Sequence, residues 1–151
     1  MTIGEVAERM NISISTIRFY DKEGLLLGLK RNKGGIRIFD QQDMEVLQLI
    51  ECLKKSGMQI KDIKQFIKWC SLGDQTLQLR KEMFDKQKAN IEQKIKELEH
   101  ALSLIEYKCW YYQEALNDGN EKRVKQLTPE QMPSVIQEAY QQTHHLFVDK
   151  G

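Results

Sequence analysis

Apolar residues recur at helical spacing from the first turn of the chain. Ile3, Val6, Ala7 and Met10 fall on one face of a short helix, which Thr2 and Glu5 open as a capping box. Asn11-Ile12-Ser13 reads as a turn. Ser13 then caps a second helix reaching about Glu23, with Ile14, Ile17 and Tyr20 along one side and Gly24 as its stop. Helix, three-residue turn and helix is the spacing of a helix-turn-helix. Beyond Leu25-Leu26-Leu27, the basic stretch Lys30-Arg31-Asn32-Lys33 leads into Gly34-Gly35 and the alternation Ile36-Arg37-Ile38-Phe39. A double glycine between two short stretches predicts a hairpin, and a basic hairpin in this place reads as a wing. Asp40 starts a third helix to about Ser56, ended by Gly57, and a fourth covers about Lys61 to Cys70 before the Leu72-Gly73-Asp74 break.

From Leu77 the period changes. Leu77, Phe84, Ile91, Ile95, Leu98, Leu102, Ile105, Cys109, Tyr112 and Leu116 fall on alternating three- and four-residue steps, with Lys81 and Lys88 in two slots of the same seam. This is a coiled-coil pattern, and a small N-terminal domain is too short to bury it. It predicts a partner helix, most simply from a second copy, with Phe84, Ile91, Ile95, Leu98, Leu102, Ile105 and Cys109 in the dimer seam. Asn117-Asp118-Gly119-Asn120 ends the helix, and Thr128-Pro129-Glu130-Gln131 predicts a last helix over 129–143. The expected fold is therefore mainly α. A winged helix-turn-helix domain over 1–71 precedes a dimerisation helix over 75–117 and a short C-terminal tail over 118–151.

Composition changes this picture little until it is divided. The 151 residues carry a net charge of +1, with 40% hydrophobic and 30% charged residues, two prolines and nine glycines. The average hides a net of +3 over residues 1–71 and −2 over 72–151, a hint of an anionic partner for the first part. Three cysteines argue against a disulfide framework and for a reducing cytoplasm. The first residues lack the basic and apolar regions of a signal peptide, and no apolar run approaches a membrane span.

Candidate chemistry follows from the elements. The second helix presents Ser15, Thr16 and Arg18 away from Ile14 and Ile17, as a base-reading helix requires; Arg18 could meet guanine or phosphate, and the Tyr20 hydroxyl a phosphate. The same side chains would also make an ordinary surface, since helix-turn-helix geometry occurs without DNA. Catalysis has no support: there is no phosphate-binding glycine loop, and histidines occur only at 100, 144 and 145. No cofactor or metal is expected, because Cys70 and Cys109 are far apart and His144-His145 reads as a solvated pair. Cys52 lies roughly 130° from the centre of the Val46, Leu47, Leu49, Ile50 and Leu53 face, with Lys55 on its own side to favour the thiolate. Cys109 reads as a small apolar seam residue, and Cys70 has no assigned role.

The stretches Ile3-Gly4-Glu5-Val6-Ala7, Thr16-Ile17-Arg18-Phe19-Tyr20-Asp21-Lys22-Glu23-Gly24-Leu25-Leu26 and Gly35-Ile36-Arg37-Ile38-Phe39 resemble the MerR family of transcription regulators, as does Leu53-Lys54-Lys55-Ser56-Gly57-Met58 followed by Ile60-Lys61-Asp62-Ile63. The resemblance implies a homodimer joined by antiparallel helices. It would bind double-stranded promoter DNA and distort it so that the promoter elements align for RNA polymerase, at a deformation cost of order 1–10 kcal/mol. It implies that Ser15, Thr16 and Arg18 face the major groove, while Tyr20, Arg31, Arg37 and Lys61 hold the backbone. Phe19 stands where the family usually has tyrosine, and Leu27 where it often has proline. Metal-sensing members carry cysteines at the start of the long helix, and Asp74 to Leu79 has none. Leu49-Ile50-Glu51-Cys52-Leu53-Lys54, with Gly73-Asp74, Thr76 and Arg80, resembles the aldehyde- and electrophile-responsive AdhR/NmlR-like subgroup, which implies a sensor role for Cys52. Two other readings remain. One is a non-covalent apolar ligand near Trp69, Trp110, Tyr111 and Tyr112 at the dimer interface; the other is a protein-binding oligomerisation or adaptor module.

Overall fold

The structure, a computed structural model, describes residues 1–143; the His144-His145 pair lies outside them. In chain order the elements are α1 (Ile3–Met10), α2 (Ile14–Lys22), β1 (Lys30–Arg31), β2 (Arg37–Ile38), α3 (Gln41–Lys55), α4 (Ile60–Leu72), α5 (Leu77–Asp118), α6 (Lys122–Gln126) and α7 (Ser134–Thr143). Short 3-10 turns cover Asp74–Thr76 and Pro129–Gln131. The fold is mainly helical, with one small hairpin as its wing.

Local chemistry sets the boundaries of the first helices. The Thr2/Glu5 capping box starts α1, the Ser13 side chain caps α2, and Asp40 with Asp43 forms a second capping box on α3. Asn11 ends α1 in the left-handed conformation, and Gly24 turns the chain after α2 with φ +77°. β1 and β2 pair antiparallel, Lys30 opposite Ile38 and Arg31 opposite Arg37.

The chain divides into two compact units, Met1–Lys88 and Ala89–Gly151. In the first, Met83 and Phe84 on the opening turns of α5 pack against the core. Val6 from α1, Ile17 and Tyr20 from α2, Leu47 and Ile50 from α3, and Ile63 from α4 are completely buried there, with Phe39 nearly so. Each such side chain contributes about 1.5–3 kcal/mol relative to exposure. The α4–α5 turn is tied by Thr76, whose one hydroxyl proton is shared between the Trp69 and Gly73 carbonyls, 2.7 and 2.8 Å from Oγ1. Arg80 then donates to Thr76 Oγ1 at 3.1 Å and to the Gly73 carbonyl at 2.9 Å.

The second unit corrects the expectation for the tail. The helix expected over 129–143 is split: Pro129–Gln131 is a 3-10 turn, Met132 is extended, and α7 begins at Ser134. Pro133 supplies no N–H and disfavours helix in the residue before it. α6 was not anticipated. These elements bury Val124, Met132 and Ala139 with Tyr107, Tyr111 and Ala115 of α5. Tyr111 donates to Glu121 at 2.9 Å, and Arg123 pairs with Asp118 at 2.7 Å and with Glu114.

Candidate nucleic-acid interface

α2 buries Ile17 and Tyr20 and turns its other side outward. At about 100° per residue, Ser15, Arg18, Phe19 and Lys22 share that outer face, and all four are exposed. Arg18 has no ion-pair partner among the described residues, so its donors are available to an incoming acceptor. Phe19, 45% exposed, places an apolar ring beside it. Phe19 and Lys22 were absent from the expected contacts, although their spacing from Ser15 and Arg18 carried the signal.

Two expected contact residues on α2 are placed differently. Tyr20 is completely buried; its hydroxyl donates to Glu51 at 2.6 Å and accepts from Lys54 at 3.0 Å. It therefore cannot reach a phosphate, and burial followed by the Glu51 hydrogen bond pushes its ionisation above the usual tyrosine range. Thr16 is half-buried, and its hydroxyl lies 2.7 Å from Ser13 Oγ, which also accepts the Thr16 N–H at 3.1 Å. Ser15 Oγ is 3.0 Å from the same Ser13 oxygen.

The wing is fastened to this helix by one carboxylate. Arg31 and Arg37 stand opposite each other across the hairpin, a like-charge pair that repels. Asp21 of α2 accepts from Arg37 at 2.7 Å and from Arg31 at 3.4 Å, offsetting part of their repulsion and joining the wing to α2 with a net charge of +1 left on the three side chains. Arg31 remains 50% exposed whereas Arg37 is only 24% exposed, so Arg31 has more reach toward a phosphate. The turn is held by Asn32, whose Oδ1 accepts the Gly34 and Ile36 N–H groups at 2.9 and 3.0 Å, while Gly35 takes φ +75°.

Lys61 is exposed in the first turn of α4, whose N-cap, Gln59, makes no side-chain capping bond. A cation there is unfavourable for the helix alone, but uncapped N–H groups beside a lysine suit an anion. Cys52 is exposed on α3 and lines an open groove of about 770 Å³ with Arg9, Asn11, Met44, Gln48, Glu51 and Lys55. Cys70 is also exposed, with the Arg80 guanidinium 3.9 Å from its sulfur. No group of three or more His, Cys, Asp or Glu side chains suited to a metal occurs among the described residues. Nor is any described helix long and apolar enough to cross a membrane.

The expected seam behaves in two ways. Ile95, Leu98, Leu102, Ile105 and Cys109 are exposed and Ile91 is half-buried, whereas Phe84 packs edge-on against Phe66 of α4 at 4.9 Å between ring centroids. Phe84 is thus engaged within its own chain. Tyr111 and Trp110, named for an interface ligand, belong to the core of the second unit; Tyr112 is 53% exposed.

An outward-facing helix whose arginine has no ion-pair partner among the described residues, a second helix behind it and a basic hairpin tied to its side make a winged helix-turn-helix, an architecture suited to DNA. Comparison with known families specifies which kind. The MerR HTH family regulatory protein model matches residues 1–68, and the MerR DNA-binding model matches residues 44–106. A Haemophilus influenzae HTH-type transcriptional regulator is 43% identical over 123 residues, spanning 82% of this chain and 91% of its own length. The crystal structure of HiNmlR, a MerR family regulator lacking the sensor domain, bound to promoter DNA, matches with a TM-score of 0.76 and 42% identity over 88% of this chain and 98% of that one. AdhR of Bacillus subtilis is 31% identical over 81 residues, 54% of this chain and 58% of AdhR. The chain belongs to the MerR family: it is a DNA-binding transcription regulator and not an enzyme.

Proposed function

We propose that the protein binds promoter DNA as a homodimer, activates transcription by distorting the promoter for RNA polymerase, and senses reactive aldehydes or related electrophiles through Cys52. The observation that carries the DNA reading is the outward face of α2, where Arg18 stands unpaired beside the Asp21-anchored wing. It occurs on a fold whose relative HiNmlR is bound to promoter DNA. Ser15 and Arg18 read the major groove, while Arg31, Lys61 and the newly found Lys22 neutralise phosphates; Arg37 positions the wing. Residues 1–71 supply this module and 75–117 the dimerisation helix, with Ile91, Ile95, Leu98, Leu102, Ile105 and Cys109 against an antiparallel partner helix. The exposure of Leu98 at 70% and Ile105 at 57% supports that reading, since a stripe of this kind is buried by a partner helix.

Cys52 is exposed in a groove walled by α1, the following turn and α3, open to a small molecule. Its sulfur gives up its proton to water and attacks the aldehyde carbon, a C–S bond forms as the C=O π pair moves to oxygen, and that oxygen takes a proton back from water to leave a hemithioacetal. No oxidant is consumed.

The DNA reading is tested by Arg18→Ala on a promoter fragment: loss of affinity with retained helicity is expected, and unchanged binding overturns it. Sensing is tested by intact mass after formaldehyde or methylglyoxal treatment, with promoter transcription by Cys52→Ser. A Cys52→Ser protein that answers aldehyde like the parent overturns the sensor role.

A further inference from the structure

α3 carries two functions on neighbouring residues. Cys52 and Glu51 both line the groove, together with the cations of Arg9 and Lys55. Glu51 also reaches to the recognition helix, where its Oε1 accepts the Tyr20 hydroxyl at 2.6 Å. Lys54 completes the cluster, donating to that hydroxyl at 3.0 Å and lying 5.4 Å from the Tyr20 ring centroid. The Tyr20 ring is completely buried and needs no hydroxyl to pack. Once buried, however, the hydroxyl needs an acceptor, and a carboxylate is a strong one.

The acceptor that holds the back of α2 is therefore also part of the groove wall. We propose that Glu51 is a positioning residue for DNA recognition, coupling occupancy of the Cys52 groove to the recognition helix through Tyr20. The coupling works through two arrangements of Glu51. In the one observed it accepts Tyr20, and in the other it turns into the groove toward Arg9 or Lys55. An adduct on Cys52 crowds the carboxylate and alters the balance between them. In the second arrangement the Tyr20 hydroxyl loses its carboxylate acceptor, and α2 is held less firmly behind Ser15 and Arg18. This inference rests on the reading of the groove as the place where effector enters.

The test uses the full chain with Cys70→Ser and Cys109→Ser, so that Cys52 is the one thiol, and N-ethylmaleimide as the groove-filling probe. Amide hydrogen exchange is followed across residues 14–22, with and without label, in the Tyr20 protein, Tyr20→Phe and Glu51→Gln. Labelling is expected to accelerate exchange in α2 by about tenfold when Tyr20 is present. Tyr20→Phe should already exchange fast, with no further change on labelling. Glu51→Gln keeps an acceptor for Tyr20 but loses the attraction to Arg9 and Lys55, so its response should shrink; it also serves if Tyr20→Phe folds poorly. A Cys52 that does not label, an α2 indifferent to the label, or an equal response in all three proteins overturns the coupling. Promoter transcription with methylglyoxal separates the two readings. Coupling under N-ethylmaleimide without an aldehyde response leaves the coupling standing and removes the sensor assignment.

Discussion

α3 and the second half of α5 use the same kinds of residue to opposite ends. On α3, Leu47 and Ile50 are completely buried by helices of their own chain. On α5, Leu98 and Leu116 are 70% and 75% exposed, while Tyr107, Tyr111 and Ala115, roughly half a turn around the helix, are buried beneath α6 and α7. A short amphipathic helix in a closed domain satisfies its single apolar face locally. α5 has two faces, and the described chain covers one. The lesson is that apolar periodicity shows that a face will be covered, not by which molecule.

The largest test of this contrast introduces charge into the open face. Leu98→Asp with Leu102→Asp should leave the helicity of the chain intact yet give a monomer by sedimentation. Promoter affinity should fall by about two orders of magnitude, because the second half-site is no longer engaged together with the first; a surviving dimer breaks the comparison. Next is the stability difference between the two helices. Ile50→Ala should cost about 2–5 kcal/mol in denaturant unfolding. Leu98→Ala, measured dilute enough to be monomeric, should stay within about 0.5 kcal/mol of the parent.

A smaller effect distinguishes residues on the interface itself. Arg18→Ala should lose about 1–3 kcal/mol of promoter affinity and relax discrimination at one base position. Lys22→Ala should weaken all sequences alike and lower the salt slope by about one, as a phosphate contact does. The subtlest effect concerns the second unit. Burial, then the Glu121 hydrogen bond, pushes the Tyr111 hydroxyl up to about 12 from the usual 10.0. The unfolded phenol ionises first, so the stabilisation from this tyrosine is complete below pH 10 and is lost as pH rises toward 12. Tyr20, Tyr107 and Tyr111 are all pushed upward, so phenolate absorbance should show a late-titrating group of tyrosines that is smaller by one in Tyr111→Phe.

Much of the fold was legible because its signals are local. The Asp40 start and Gly57 stop placed α3 within a residue of its observed ends at Gln41 and Lys55, and Ser13 with Gly24 did the same for α2. The split of the last helix is also written in the chain, as Pro133, which disfavours helix in the residue before it. α6 is only five residues long, too short for periodicity to reveal, and it is stabilised by burying Val124. The interface was legible in part. Ser15 and Arg18 stand outward as their helical positions require, and the same arithmetic extends to Phe19 and Lys22.

By itself, then, the sequence determined the helices, the hairpin, the polar face of α2 and the apolar stripe of α5, all of which follow from spacing along the chain. Tertiary structure decided which polar atoms remain available. Tyr20 is withdrawn by Glu51, 31 residues away, and Arg37 by Asp21, 16 residues away, while Arg18 is left open. A hydrogen bond between distant residues depends on where the whole core brings them, and no local period records that.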